Sequence, residues 1–348
     1  MHHTTLALIA AGLPLALATA SLSAAELHVP AGFATIQAAI DAAAPADHVV
    51  LADGVYAGPG NVGLDFGGKA ITVRSANGAA GCIIDGTGSP GANAFVFDSD
   101  ETSQAHVEGL TFEHFVTGKS NAGAIRITEA SPRILDCVFR NCTTAPARLA
   151  TPPGSAIHMT AATPLVQRCR FESNEGSAVL VGAGSVVYVI DCTFEDNTAR
   201  SDDGIGGGAV QNHGFTLIFF SLLRGNAVEA IAGPARGGAV AHVGLLLDLT
   251  TNTFEANRVS GPAATEGAAV YAAADFILNA GTFRGHAGDH DGAAMLVDGS
   301  TLDAPIAVMN LGVARIGVTA TEAVTLDFRA RRNGDGPVHH APVDAGGH

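Results

Sequence analysis

From residue 107 to residue 297, apolar residues recur in short alternating runs broken by Gly, Asn and Ser, a pattern of strands and tight turns. One position repeats as Phe112, Phe139, Phe171, Phe194, Phe254 and Phe283, with Leu223 in the remaining place. Five residues before it every copy is apolar: Val107, Ile134, Val166, Val189, Ile218, Leu249 and Leu278. Two residues before it stand Leu110, Cys137, Cys169, Cys192, Ser221, Asn252 and Gly281. Three residues after it come Asn174, Asn197, Asn226 and Asn257, with Phe115, Cys142 and His286 in the irregular copies. A small-Ala-apolar signal recurs between them, as GAI at 123–125, GAV at 208–210 and again at 238–240. Two signals in fixed order define seven repeats of 23 to 32 residues.

A unit of that length cannot bury a core alone, but it can form one coil of a solenoid. Each strand then pairs with its counterpart one coil on, about 4.8 Å away, in parallel sheets. Inward Phe and β-branched residues pile on their like. The Asn amide is expected to donate to one neighbouring coil and accept from the other, satisfying turn backbone that no ladder reaches. Nearly all variation in repeat length falls after the Asn and before the Gly-Ala signal. Loops on that one edge are where function is expected.

These residues carry a resemblance. GGAV with FEDN or FEAN resembles the paired GGA[ILV] and FxxN repeats of chlamydial polymorphic outer membrane proteins and related bacterial exported proteins. The resemblance implies a right-handed parallel β-helix of the pectin-lyase-like superfamily, all-β, with an N-terminal capping helix. HVPAGFATIQAAIDAAAPADHVVLADGVYAG (28–58) is similar to the entry segment of such proteins. There an amphipathic helix, here around Thr35 to Ala43, plugs the open end before the first strand at Val49 to Leu51. The tail from Leu326 resembles the closing segment of bacterial exported β-helix proteins that often carry a surface anchor.

The N-terminus adds an address. Leu6 to Leu17 is a short apolar run interrupted by Pro14 and followed by two small-x-small sites, of which the one ending at Ala25 is the expected cleavage point. The predicted organisation is a signal peptide over 1–25 and one β-helix domain over 26–348. The domain divides into a cap (26–48), coils (49–300) and a C-terminal coil and tail (301–348). Secreted, periplasmic or cell-surface location follows from that reading, with no membrane span after signal removal. Abundant Gly, 43 in all, fits short strands and turns. A net charge of −15 disfavours nucleic acid as a partner. Five cysteines without CxxC spacing indicate neither a zinc module nor a disulfide framework, and free, buried thiols are expected.

Three constellations compete as a site. Outward charges just after the Phe position (Glu113, Arg140, Glu172, Glu195, Arg224, Glu255, Arg284) read first as pairs across the ladder. A second outward column, two residues after the Ala, runs Arg126, His158, Leu180, Gln211, Ala241, Tyr271 and Leu296. Its planar polar groups and aromatic, Arg126, His158, Gln211 and Tyr271, suit sugar hydroxyls and ring faces, so a polysaccharide or cell-surface glycan is the candidate partner. Third, acidic loop residues Asp202 and Asp203, with His286, Asp289, His290 and Asp291, offer ligands for a divalent cation, Ca2+ above all, against the plainer reading of a solvated loop. His242 is expected to be an interior, hydrogen-bonded histidine. The resemblance brings polysaccharide lyases and glycoside hydrolases into view, yet no carboxylate pair or calcium cluster beside a base stands out. A non-catalytic, adhesin-like glycan binder is preferred, with lyase or hydrolase as alternative and a structural envelope role as the third reading.

Overall fold

The computed structural model describes residues 24–118, 123–144, 154–201, 206–263, 265–274, 276–279, 281–288, 295–297, 314–316 and 324–326. Three ten-stranded sheets run the length of a solenoid. The first begins with Glu26–Val29 and His48–Leu51 and ends with Phe276–Asn279. The second begins with Gly54–Ala57 and holds the phenylalanine strands, from Thr111–Glu113 to Gly281–Arg284. The third begins with Leu64–Asp65 and carries the Gly-Ala strands, from Ile125–Thr128 to Met295–Val297. Among the described residues all pairings along the coils are parallel, and Ala314–Ile316 and Val324–Leu326 join antiparallel.

The expected register is present. Phe112, Phe139, Phe171, Phe194, Leu223, Phe254 and Phe283 are successive ladder partners. Their rings stack at 5.0 Å between Phe139 and Phe171, and at 4.6 Å between Phe171 and Phe194 and between Phe254 and Phe283, within 6° of parallel. Each is fully buried, a contribution of about 2–3 kcal/mol per ring.

The FxxN motif has a residue-by-residue explanation. Phe points in, the next residue points out, and the third turns the chain through the left-handed region: φ is 51° at Ser173, 55° at Asp196, 66° at Gly225 and 51° at Ala256. The Asn then points in again. Asn197 Nδ2 donates to the Phe171 carbonyl at 3.0 Å and to Asn226 Oδ1 at 2.9 Å, and Asn226 Nδ2 to Phe194 O at 3.0 Å and Asn257 Oδ1 at 3.1 Å. Each Oδ1 also accepts the backbone N–H of the Asn one coil back. From Asn to Asn the amides donate to the next coil and accept from the one before, as predicted, and each Nδ2 also donates back to a Phe carbonyl, which seals a buried turn.

The corner before each phenylalanine strand is built alike. There Cys137, Cys169 and Cys192 are buried and free. The thiols of Cys169 and Cys192 donate to the carbonyls of Ile134 and Val166 one coil back, at 3.4 and 3.6 Å. Asn252 fills the same place, its amide donating to Ile218 O at 2.7 Å. Burial raises the Cys169 thiol well above its ordinary pKa, which suits packing rather than nucleophilic attack at that residue.

At the N-terminal end, the helix Ile36–Ala42 is capped by Thr35, whose Oγ1 accepts from Ala38 N at 3.3 Å. It buries Ile36, Ala39 and Ile40 and packs on Glu26–Val29, His48–Leu51 and Leu64–Asp65. A strand, Glu26–Val29, thus precedes the helix inside the segment read as a cap and pairs with His48–Leu51. Its four residues, ELHV, alternate too briefly to announce it.

Candidate functional site: the outer column of the third sheet

The candidate glycan column is one ladder. Arg126 pairs in register with His158, and the series continues through Leu180, Gln211, Ala241 and Tyr271 to Leu296. Its two ends differ. Arg126 and His158 are partly open to solvent, whereas Leu180, Gln211, Ala241 and Tyr271 are buried. The expectation of one exposed platform is corrected here: Gln211 (1 % exposed) and Tyr271 (4 %) lie under a roof.

The roof is made by the variable connections. After Asn197, Asn226, Asn257 and His286 the chain forms a further strand: Thr198–Ser201, Ala227–Ala230, Arg258–Ser260 and Ala287–Gly288 build a fourth parallel sheet. Ala235–Arg236 and Thr265–Glu266 pair beside it. Ala199, Val228 and Val259, stacked in register, join Ala235 and Ala268 in a second small apolar core. Arg236 lies over the Tyr271 ring, 5.3 Å from its centroid. Ser177 Oγ donates to Gln211 Oε1 at 3.2 Å. Gly207 returns so close that a Cβ there would strike the Val210 carbonyl. These loops cover the sheet instead of bordering it.

The open end is polar. Arg126 Nη2 binds Asp98 Oδ2 of the preceding coil at 3.0 Å. Arg126 Nε and His158 Nδ1 have no hydrogen-bond partner among the described residues. Burial, and secondarily the Arg126 charge, lowers the His158 pKa to about 4, so the imidazole is neutral at pH 7. Past the end of these strands lies an open recess of about 440 Å3, lined by Asp100, Glu101, Thr102, Ser103, Glu129, Ser131 and Thr163. Glu101 is its buried anchor: Oε1 accepts from Gly68 N at 2.9 Å and Oε2 from Ser99 N at 3.1 Å. Asp100 and Glu129 take left-handed backbone (φ 58° and 53°) and are exposed. Ser131 Oγ and Thr163 Oγ1 share a 2.5 Å hydrogen bond. Sequence reading missed these corner residues, since they lie outside both repeat signals. Their sign was acidic and hydroxyl residues at corresponding places after successive strands, DSDETS, TEASP and TAATP.

The cation candidates divide. Asp202, Asp203, Asp289, His290 and Asp291 lie outside the described residues. His286 is the last member of the Asn ladder: its Nδ1 accepts the Asn257 N–H at 3.2 Å. Burial lowers its pKa to about 4. A ring nitrogen spent on backbone and an imidazole buried in a corner suit packing better than ligation. Among the described residues, one trio places metal-capable atoms together, Asp85, Glu113 and His114. Its groups already serve one another: His114 Nδ1 lies 3.2 Å from Asp85 Oδ1, and Glu113 Oε2 binds Arg140 at 2.6 Å. Asp85 is the in-register partner of Glu113, so extending the charge column one coil toward the N-terminus would have found it. Further along that column Arg224 pairs with Glu195 and Arg284 with Glu255 (3.0 Å) as expected, while Glu172 is met by Arg170 from the neighbouring column, which also reaches Glu195 at 3.2 Å. His242 is wholly buried, with Asn212 Nδ2 at 2.9 Å from its Nδ1.

Comparison with known proteins agrees with this architecture. No curated protein matches the chain. Among solved structures, ORF18 of Geobacillus virus E2 is similar at 16% identity and a TM-score of 0.39, covering 76% of this chain and 61% of that one. The A-module of the mannuronan C-5 epimerase AlgE6 of Azotobacter vinelandii is similar at 12% identity and a TM-score of 0.23, over 76% and 95% of the two chains. A mannuronic acid specific polysaccharide family 6 lyase from human gut microbiota is similar at 14% and 0.23, over 73% and 83%. The chain spans about three fifths of the viral protein. Residues 69–301 match the family described as the right handed beta helix region, two thirds of the sequence, and the chain therefore belongs to the right-handed β-helix family.

Proposed function

We propose that this protein is an exported β-helix that binds carbohydrate, non-catalytically, on the outer face of its N-terminal coils, around Arg126, His158 and the recess bounded by Asp100, Glu129, Ser131 and Thr163. The observation that carries the reading is that Arg126 and His158 keep part of their surface open on a column that is buried from Leu180 to Tyr271, next to clustered hydroxyls and carboxylates. Carboxylates and serine or threonine hydroxyls accept and return hydrogen bonds from vicinal sugar hydroxyls, and the arginine fork donates to ring or acetal oxygens. The exported address rests on residues 1–25 read as a signal peptide. A panel of neutral and acidic oligosaccharides tests the proposal. Retention of at least one glycan, weakened about tenfold by Arg126→Ala and by Thr163→Ala with unfolding temperature unchanged, supports it; absence of retention across the panel rejects it.

A lyase is the second reading, favoured by one observation: a guanidinium beside a neutral imidazole, Arg126 and His158 on adjacent rungs. Arginine would neutralise a uronate carboxylate while the imidazole accepts the neighbouring proton. Absorbance near 235 nm rising on incubation with polyuronates, and lost in His158→Ala, would install this reading in place of the binder.

A further inference from the structure

We propose that the outer face of the first sheet, between residues 165 and 277, is an association surface for a second copy of this chain. The face changes character along a single column. Its outward ladder partners run Glu26, His48, Thr72, His106 and Arg133, then Leu165, Tyr188, Leu217, Asp248 and Ile277, and among these last only Asp248 is charged. The first five are charged or polar, and Arg74 in the neighbouring column binds Glu26 at 2.7 Å. The strands Val186–Ile190 and Phe215–Phe219 are instead apolar outside, where Val186, Tyr188 and Ile190 pair with Phe215, Leu217 and Phe219.

Inward residues Val187, Val189 and Ile218 are already fully buried in the core, so VVYVI and FTLIF carry apolar groups on both faces. Strands of that kind belong to sheets covered on both sides. Here the outer side is open: Tyr188 is 44 % exposed, and the flanking Phe220 and Leu245 are 62 % and 70 % exposed. Phe220 stands at φ 54°, a conformation unfavourable for a bulky residue, with its ring held outward at the corner. Asp248 is the one ionised group among the described outward residues of the three strands Val186–Ile190, Phe215–Phe219 and Leu246–Thr250; it accepts from Thr250 Oγ1 at 2.8 Å.

A second copy fits better than a glycan or an anionic membrane. The patch offers few hydrogen-bonding groups to a sugar, and the chain's −15 charge opposes anionic lipid. The geometry suits a self-complementary contact. Five rungs at about 4.8 Å, three of them five-residue strands and the outer two of three and four residues, give a face of about 350 Å2 before the corner side chains are added. Two such faces with Phe220 and Leu245 approach the roughly 1,000 Å2 that a specific, reversible interface needs. An isologous pairing places the same patch on both partners.

Sedimentation equilibrium of the chain from residue 26 onward, between about 1 and 100 µM, tests this. A concentration-dependent dimer is expected, strengthened by salt because the net charges repel. Leu217→Asp and Tyr188→Asp should each leave only monomer at 100 µM, while His106→Asp, on the polar half of the same column, should dimerise as the unaltered chain does. Thermal unfolding of each variant excludes misfolding as the cause. A monomer at every concentration, dimers indifferent to both patch substitutions, or a monomer that co-sediments with vesicles or glycan would overturn the proposal. Loss of glycan binding alone would not, because the two surfaces share no residue.

Discussion

The N-terminal and C-terminal halves of the rod share a core and differ in their coats. In both, phenylalanines stack behind the second sheet and the corners face inward with the same geometry. In the N-terminal half the outer first sheet is polar, and the third-sheet column is open at Arg126 and His158. In the C-terminal half the outer first sheet is apolar, and the same third-sheet column is roofed over Gln211 and Tyr271. A solenoid can vary each outward position coil by coil because the inward columns and the ladder hydrogen bonds carry the fold. Function is therefore assigned to stretches of a column rather than to whole columns.

If the halves differ only in coat, a core lesion must be costly in either. Phe139→Ala and Phe254→Ala should each lower unfolding free energy by about 3–5 kcal/mol in denaturant titrations, and a much cheaper loss at one would show that the cores are unequal. Next in size is the Asn ladder. Asn226→Ala removes the acceptor of the Asn197 backbone and amide groups in a buried turn, at an expected cost of about 3 kcal/mol.

Of the three histidines that burial lowers, His158, His213 and His286, the first and last separate the halves by pH. Both His158 and His286 fall to about 4 in the folded chain, below the ordinary 6.5. Between those values the unfolded chain binds more protons, so stability is fully present above pH 6.5 and declines as pH falls toward 4. His286→Asn should complete the ladder and reduce the fall in unfolding temperature between pH 7.5 and 4.5; His158→Asn should reduce it from the other half. The smallest effect belongs to the roof. Arg236→Ala removes the cation over Tyr271 and should cost about 1 kcal/mol or less, with faster acrylamide quenching of tyrosine fluorescence.

Much of this plan was legible because register in a solenoid is local arithmetic. The Phe position, the Asn three residues later and the Cys two residues earlier repeat with constant offsets, so each column, including the one through Arg126 and Tyr271, could be written from spacing alone. Cover could not. Whether Tyr271 meets solvent depends on where Arg236 lies, and Arg236 stands in one of several connections of unequal length with loop-like composition. NTARS, NAVEA and NRVSG do share one outline, with an apolar residue two places after the Asn, and that alternation was the available sign of the fourth sheet. His286 shows the converse limit. Its acidic loop neighbours suggested a ligand, while its position three residues after Phe283 made it an asparagine substitute.

The assignment of binding to the open coils is tested most directly by hydrogen–deuterium exchange with and without a retained oligosaccharide. Added protection is expected at 95–103, 125–131 and 157–163, with the strands around 210–212 and 270–272 unchanged. Protection confined to the roofed strands, with none at Arg126 or His158, would contradict the account.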